Sequence, residues 1–269
     1  MDKLQLYDLP LNNRLLLGTA LYPNIDVMLE SIAAARAEMV TVSLKRELNS
    51  TKNNYFWQCL KKTSCSILPN TAGCRTAEEA IFIAEAARSI FKTNFIKLEI
   101  IGDAHTLQPD VMELIKATQI LIKKDFKVLP YCTDDLIVCQ KLVQLGCSVI
   151  MPLASYIGSG RGIMNKSSFS LLRSRLKDIV LIVDAGIGVP SDAASAMELG
   201  FDGVLLNSAV ALSRNPKLMA QAFHNGVIAG RMSYLATRMP IRDLGCASTP
   251  LQDTPFWHQH ESNEKNHNG

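Results

Sequence analysis

The amino-acid sequence predicts a single α/β domain, a closed (β/α)8 TIM barrel. Three observations carry this expectation. Eight short, β-rich apolar runs recur along the chain. Helix-like segments lie between them. The rhythm occupies residues 1–231 of 269, the size of one such barrel. Strands joined through helices pair in parallel by right-handed crossovers. Counting alone leaves a doubly wound open sheet as the alternative.

The first strand is expected at 15–20 (LLLGTA) and the second at 39–44 (MVTVSL). The third, 66–71 (SILPNT), leads to a helix over 76–91. Thr76 is its N-cap candidate, and Glu78 and Glu79 put negative charge at the positive end of the helix dipole. The fourth strand, 95–101 (FIKLEII), precedes a helix at 109–125, and the fifth, 127–132 (KVLPYC), one at 134–146 ending on Gly146. The sixth and seventh follow at 148–153 (SVIMPL) and 179–186 (IVLIVDAG). A helix at 190–200 opens on Pro-Ser-Asp and closes on Gly200, a start and stop pair. The eighth strand is expected at 203–210 (GVLLNSAV). From residue 232 the rhythm stops, and 232–269 reads as a polar tail, partly packed and then disordered.

Composition narrows the function classes. At 48% apolar and 20% charged, the chain is ordinary for a soluble globular protein. A net charge of +3 argues for neither nucleic acid nor a membrane surface. No apolar run reaches the roughly 18–20 residues of a membrane span. The start, MDKLQLYDLPLNN, lacks a signal-peptide layout, so a cytoplasmic location is expected. Seven cysteines without a C-x-x-C pair read as reduced thiols. Of five histidines, three sit in the tail; His258 and His260 could grip a metal, but a polar tail is the simpler reading, and no metal site is expected.

The stretch FIKLEIIGD (95–103) poses the chemical question. Successive strand side chains alternate between faces. Ile96, Leu98 and Ile100 make one face aliphatic, while Lys97 and Glu99 share the other with Phe95 and Ile101. Charges inside a barrel are costly unless paired or used. Burial should lower the Lys97 pKa and favour a neutral amine, which can attack a ketone to form a Schiff base. Glu99 could then move protons. A satisfied buried ion pair is the structural alternative. Asp184, at the end of the seventh strand, is a second acid–base candidate, or a simple cap for the next helix.

Three glycine-rich or small-residue turns follow strands six to eight: YIGSGRGI (156–163), DAGIG (184–188) and LLNSAV (205–210). Small residues let backbone N–H groups approach a phosphate, and loops after the last strands are the usual phosphate site of such barrels. GSGRG, with Gly158 and Gly160, sits too late in the chain for a dinucleotide fingerprint. Asn70, Tyr131 and Cys132 lie at other strand ends and are pocket candidates; Cys132 lacks a partner histidine, so a neutral lining role is expected. His105 reads as a solvated loop residue.

Taken together the motifs resemble the bacterial thiamin thiazole synthases. The resemblance rests on ILPNTAGCRTAEEA (67–80), IKLEIIGDAHTLQPD (96–110), VLPYCTDD (128–135), GCSVIMPLASYIGSGRGIMN (146–165), IVDAGIGVPSDAASAMELGFDGVLLNSA (182–209) and AFHNGVIAGR (222–231). It runs in order from about residue 15 to 231. It implies a (β/α)8 barrel that makes the thiazole phosphate of thiamin from 1-deoxy-D-xylulose 5-phosphate, dehydroglycine and a sulfur-carrier protein ending in a thiocarboxylate. It further implies that Lys97 forms the imine and that Glu99 and Asp184 are the acid–base carboxylates. Gly158, Ala185, Gly186, Asn207 and Ser208 would bind the sugar phosphate. No metal or redox cofactor is implied. A separate enzyme would make the dehydroglycine, and a homo-oligomer, dimer or tetramer, would bind the carrier at the barrel mouth.

The departures are few. LGTALYP (17–23) puts Ala20 and Leu21 where the family has glycine and lysine, VSLKR (42–46) replaces VALRR, and Ser155 and Tyr156 replace alanine and proline. Two other readings fit the residues: an aldolase-like Schiff-base barrel acting on a phosphosugar, and a non-catalytic phosphosugar-binding scaffold.

Overall fold

A computed structural model of the protein describes residues 2–44, 53–246 and 248. Residues up to Ala236 form one compact unit. From Thr237 on lies a second unit, whose described residues carry neither helix nor strand. His258, His260 and residues 45–46 of VSLKR lie outside the described residues.

The elements run β1 (Leu4–Leu6), β2 (Leu9–Leu11), β3 (Leu15–Gly18), α1 (Ile25–Ala34), β4 (Met39–Ser43), α2 (Asn53–Lys61), β5 (Ser66–Asn70) and α3 (Ala77–Phe91). They continue β6 (Phe95–Leu98), α4 (Val111–Lys123), β7 (Lys127–Cys132), α5 (Leu136–Gln144), β8 (Val149–Pro152) and α6 (Lys166–Arg175). The last are β9 (Val180–Asp184), α7 (Pro190–Glu198), β10 (Gly203–Leu206), α8 (Ser208–Ala211) and α9 (Pro216–Ala236). Strands β3 to β10 pair in parallel, and β10 returns to β3 to close the barrel. That closure excludes the open sheet.

Strand alternation sorts the side chains as expected. Ile96, Leu98 and Ile100 are fully buried in the layer shared with the helices. Leu16, Met39, Leu68, Leu129, Val149, Ile182 and Leu205 fill the inside of the barrel. The antiparallel β1–β2 hairpin, which sequence patterning missed, adds Leu4, Leu6 and Leu11 to that inner cluster. All three are at most 3% exposed. Each such leucine contributes about 1.5–3 kcal/mol of apolar burial. The hairpin therefore plugs the N-terminal end of the barrel and leaves the other end open for chemistry.

The helix signals act as read. Thr76 Oγ1 accepts from Glu79 N at 3.2 Å, and Asp110 and Asp135 cap α4 and α5. Gly146 and Gly200 take positive φ just past α5 and α7. Several strands end earlier than expected, 15–20 at Gly18 and 179–186 at Asp184 among them, and two end three or more residues early. The run 95–101 pairs only to Leu98, because β5 turns away after Asn70 and Ile101 instead bridges to Pro109. The run 203–210 stops at Leu206, because Val210 N and Ala211 N both donate to Asn207 O and wind Ser208–Ala211 into α8.

Candidate active site

Lys97 projects from β6 into the barrel interior, above the leucine plug. Its Nζ lies 2.6 Å from Asp184 Oδ2 at the end of β9, and 3.7 Å from Glu99 Oε2. The three residues are 6%, 3% and 7% exposed. The i, i+2 spacing on β6 puts Lys97 and Glu99 on one face, and barrel closure brings β9 across to them. The Lys97 ammonium also sits 5.6 Å from the centre of the Tyr131 ring. Asp184 Oδ2 has the ammonium as its ion-pair partner and no aligned hydrogen bond besides.

The electrostatics correct one expectation. Burial alone pulls the Lys97 ammonium down, as the sequence suggested, but Asp184 and Glu99 more than offset it and hold the group above its ordinary value. Lys97 therefore rests as an ammonium and must be deprotonated before it can attack. Burial likewise raises both carboxyls, against the opposing pull of Lys97. Fully ionised, the trio would carry one net negative charge in a site shielded from water. Such a cluster binds protons readily and can pass them between its members.

A stability effect follows from these shifts. Because burial raises Glu99, the folded state binds more protons than the unfolded one above the ordinary value of 4.5, so stability falls as pH rises through the folded pKa. Glu99→Gln removes that slope. The variant should melt higher than the parent at alkaline pH, with the gap closing as the pH falls toward the ordinary carboxylate range. Thermal melts from that range up to alkaline pH check it; a gap independent of pH would contradict the assignment.

Above the trio opens a cavity of about 610 Å³. Lys97, Glu99, Asp184 and Asn70 line it, as do Gly158, Gly160, Ala185, Gly186, Asn207 and Ser208. Sequence reasoning thus named residues at the ends of five strands, β5, β6, β8, β9 and β10, that the fold brings to one space. Gly158, Gly160 and Gly186 all take positive φ, and Ala185 does so without being glycine (φ 70°). The loops after β8 and β9 clasp each other: Gly162 N donates to Gly186 O at 2.8 Å, and Ser155 Oγ donates to Gly186 O at 3.3 Å. Asp192 of α7 accepts from Gly188 N and Val189 N, fixing the second loop from behind.

Two pocket candidates lie elsewhere. Cys132 points into the helix-facing core, with Sγ 3.9 Å from Cys139 Sγ, because it stands a single residue along β7 from the inward Tyr131 and so takes the opposite face. Burial holds its thiol protonated, well above the ordinary value. Tyr131 faces inward but is covered, packed with Ile101 and Leu153, its O–H donating to Leu107 O at 3.3 Å. His105 is exposed in its loop and does not line the cavity.

Comparison with known proteins agrees with this geometry. The family profile "ThiG: Thiazole biosynthesis protein ThiG" matches residues 5–250. The chain belongs to that family. A thiazole synthase of Bradyrhizobium sp. (strain ORS 278) is 53% identical over 256 residues, covering 95% of this chain and 98% of the relative. One from Coxiella burnetii (strain Dugway 5J108-111) is 53% identical over 246 residues, covering 91% and 95%. The crystal structure of the Amycolatopsis orientalis BexX/CysO complex superposes with a TM-score of 0.83 at 27% identity, covering 91% of this chain and all of that one. The protein is thus an enzyme, a thiazole synthase of thiamin biosynthesis. Among the described residues no helix is long and apolar enough to cross a membrane.

The departures from the family pattern among the described residues lie at or next to the cavity lining. Ala20 lines the cavity, while Leu21 is 60% exposed with φ 67°. Ser155 is buried and bonds to Ser159 Oγ at 3.1 Å, so it braces the glycine loop from within. Sequence reasoning missed Thr41 and Ser43 of β4, which also line the cavity, and Thr19, whose Oγ1 donates to Thr41 O at 2.9 Å. Their signal was available: Ser43 ends β4 as Asn70 ends β5, Thr41 shares its face two residues earlier, and Thr19 directly follows β3.

Proposed function

We propose that the enzyme assembles the thiazole phosphate from 1-deoxy-D-xylulose 5-phosphate, dehydroglycine and the C-terminal thiocarboxylate of a sulfur-carrier protein, by way of a Schiff base on Lys97. The observation that carries this reading is a lysine held between two buried carboxylates at the floor of a glycine-rimmed cavity. The sugar phosphate would lie against Gly158, Gly160, Ala185 and Gly186, with Asn207 and Ser208 beside them. Backbone N–H groups at such turns suit a phosphate, which needs donors at close range.

Asp184, 2.6 Å away, takes the proton from the Lys97 ammonium. The freed amine adds to the sugar ketone. A proton from Glu99 lets the carbonyl oxygen leave as water, and the imine forms. The same carboxylates then shuttle protons as the imine tautomerises and the carbonyl moves along the sugar. The carrier's thiocarboxylate sulfur adds at the relocated carbonyl carbon and the carrier departs as its carboxylate, taking that carbonyl's oxygen; dehydroglycine adds, and ring closure with loss of water completes the thiazole. Dehydroglycine comes from another enzyme, so this chain carries no redox step. The BexX relative was crystallised with a second protein, CysO, which supports a protein partner for this fold. Exposed Phe82 and Ile90 on α3 and Met112 on α4 offer apolar area for a homo-oligomer.

Borohydride reduction in the presence of 1-deoxy-D-xylulose 5-phosphate tests the reading. Intact-mass spectrometry should show one reduced sugar adduct, and peptide mapping should place it on Lys97. A folded protein that gains no adduct would overturn the Schiff base. An adduct without dependence on a thiocarboxylated carrier for turnover would favour the aldolase-like reading instead.

A further inference from the structure

Glu99 stands one residue beyond the last residue of β6. There the sheet no longer supplies a backbone partner, because β5 ends at Asn70 and the chain turns through 71–73. Yet Glu99 must stay extended for its side chain to share a face with Lys97. A side chain takes over the role of the missing strand. Thr71 Oγ1 accepts from Glu99 N at 2.8 Å and donates to Glu99 O at 2.7 Å. Thr71 is fully buried, and its own N–H donates to Lys97 O at 3.2 Å. One residue thus holds the backbone on both sides of the Lys97–Glu99 step. The Glu99 carboxylate has no partner among the described residues except Lys97. Its position is therefore set through its backbone.

We infer that Thr71 is a positioning residue for the thiazole-forming reaction: its hydroxyl fixes the Glu99 backbone and so holds the Glu99 carboxylate over Lys97. This inference rests on the reading of Glu99 as an acid–base group. Valine at 71 keeps the shape but leaves a buried N–H and a buried C=O without partners, and both would seek water or a new conformation. A displaced carboxylate transfers protons poorly, since misplacement by about 1 Å can cost a hundredfold in rate.

The test is a double-mutant cycle on full-length enzyme, with kcat and the pH profile as readouts. Thr71→Val should lower kcat by about ten- to a hundredfold and shift the acidic limb of the profile, with KM for the sugar phosphate little changed. Thr71→Ser, which retains the hydroxyl, should recover most of that loss. In a Glu99→Gln background Thr71→Val should have almost no further effect, because it acts through Glu99. Equal losses in both backgrounds would overturn the inference and assign Thr71 a merely structural role. Full activity in Thr71→Val beside an impaired Glu99→Gln would also overturn it while sparing the proposed role of Glu99. An unimpaired Glu99→Gln would instead remove the reading on which the inference rests. If Thr71→Val fails to fold, Thr71→Ser against Thr71→Ala gives the same comparison.

Discussion

Lys97→Ala should abolish turnover, by on the order of 10⁴-fold or more, because it removes the nucleophile rather than an assisting group. Borohydride should then trap no sugar adduct at any concentration. The fold should persist, since Lys97 belongs to neither of the large hydrophobic clusters and the barrel closes without it. Its loss leaves Glu99 and Asp184 buried together with no cation between them, so both should bind protons more tightly than in the parent. The folded variant then holds more protons than the unfolded chain, and its stability should fall as pH rises above the ordinary carboxylate range. Lys97→Arg separates the two effects. A guanidinium stays charged, so it can restore the ion pair and the stability without offering a neutral nitrogen. Retained turnover in Lys97→Ala, or an adduct mapped to another lysine, would sink the assignment.

That the lysine's charge state came out opposite to the sequence expectation is instructive. FIKLEII states that Lys97 and Glu99 share a face, and alternation along one strand is enough to say so. The distance from Lys97 to Asp184 spans 87 positions of chain and exists only after eight strands close. Desolvation of a lone lysine was therefore legible, and the approach of a second carboxylate, which together with Glu99 more than offsets it, was not. The same limit hid the plug. β1 and β2 are three residues each, too short for a periodicity to show, and Pro10 lies within the second. Their meaning comes from what they cover. By contrast the barrel rhythm, the caps at Thr76 and the glycines after α5 and α7 are local features, and local features survive translation into structure. Cys132 fell between these cases: its position near a strand end was legible, but the face it takes depends on a register count of one residue.

The glycine loops bear the second large effect, and there space rather than charge decides. A Cβ built on Gly188 would lie 2.3 Å from Gly160 O and 2.9 Å from Gly160 Cα. Backbone cannot swing aside as a flexible side chain can, so the Gly158–Gly160 loop must retreat by about an ångström, at a cost of roughly 1–3 kcal/mol. Gly188→Ala should therefore raise KM for 1-deoxy-D-xylulose 5-phosphate by about thirtyfold, or about 2 kcal/mol, with kcat at saturation changed far less. The Lys97 adduct should still form, but only at high sugar phosphate. Gly158→Ala offers a contrast of mechanism. Its Cβ would meet nothing closer than Ser208 Oγ at 4.0 Å, yet φ there is +73°, so the penalty is backbone strain of about 1–2 kcal/mol rather than collision. Both variants should weaken phosphate binding, and a sugar analogue lacking the phosphate should be indifferent to either. An unchanged KM in Gly188→Ala would mean that the phosphate lies away from the interlocked loops, and the cavity's polarity would have to be read in reverse, with the sugar's head and tail exchanged over Lys97.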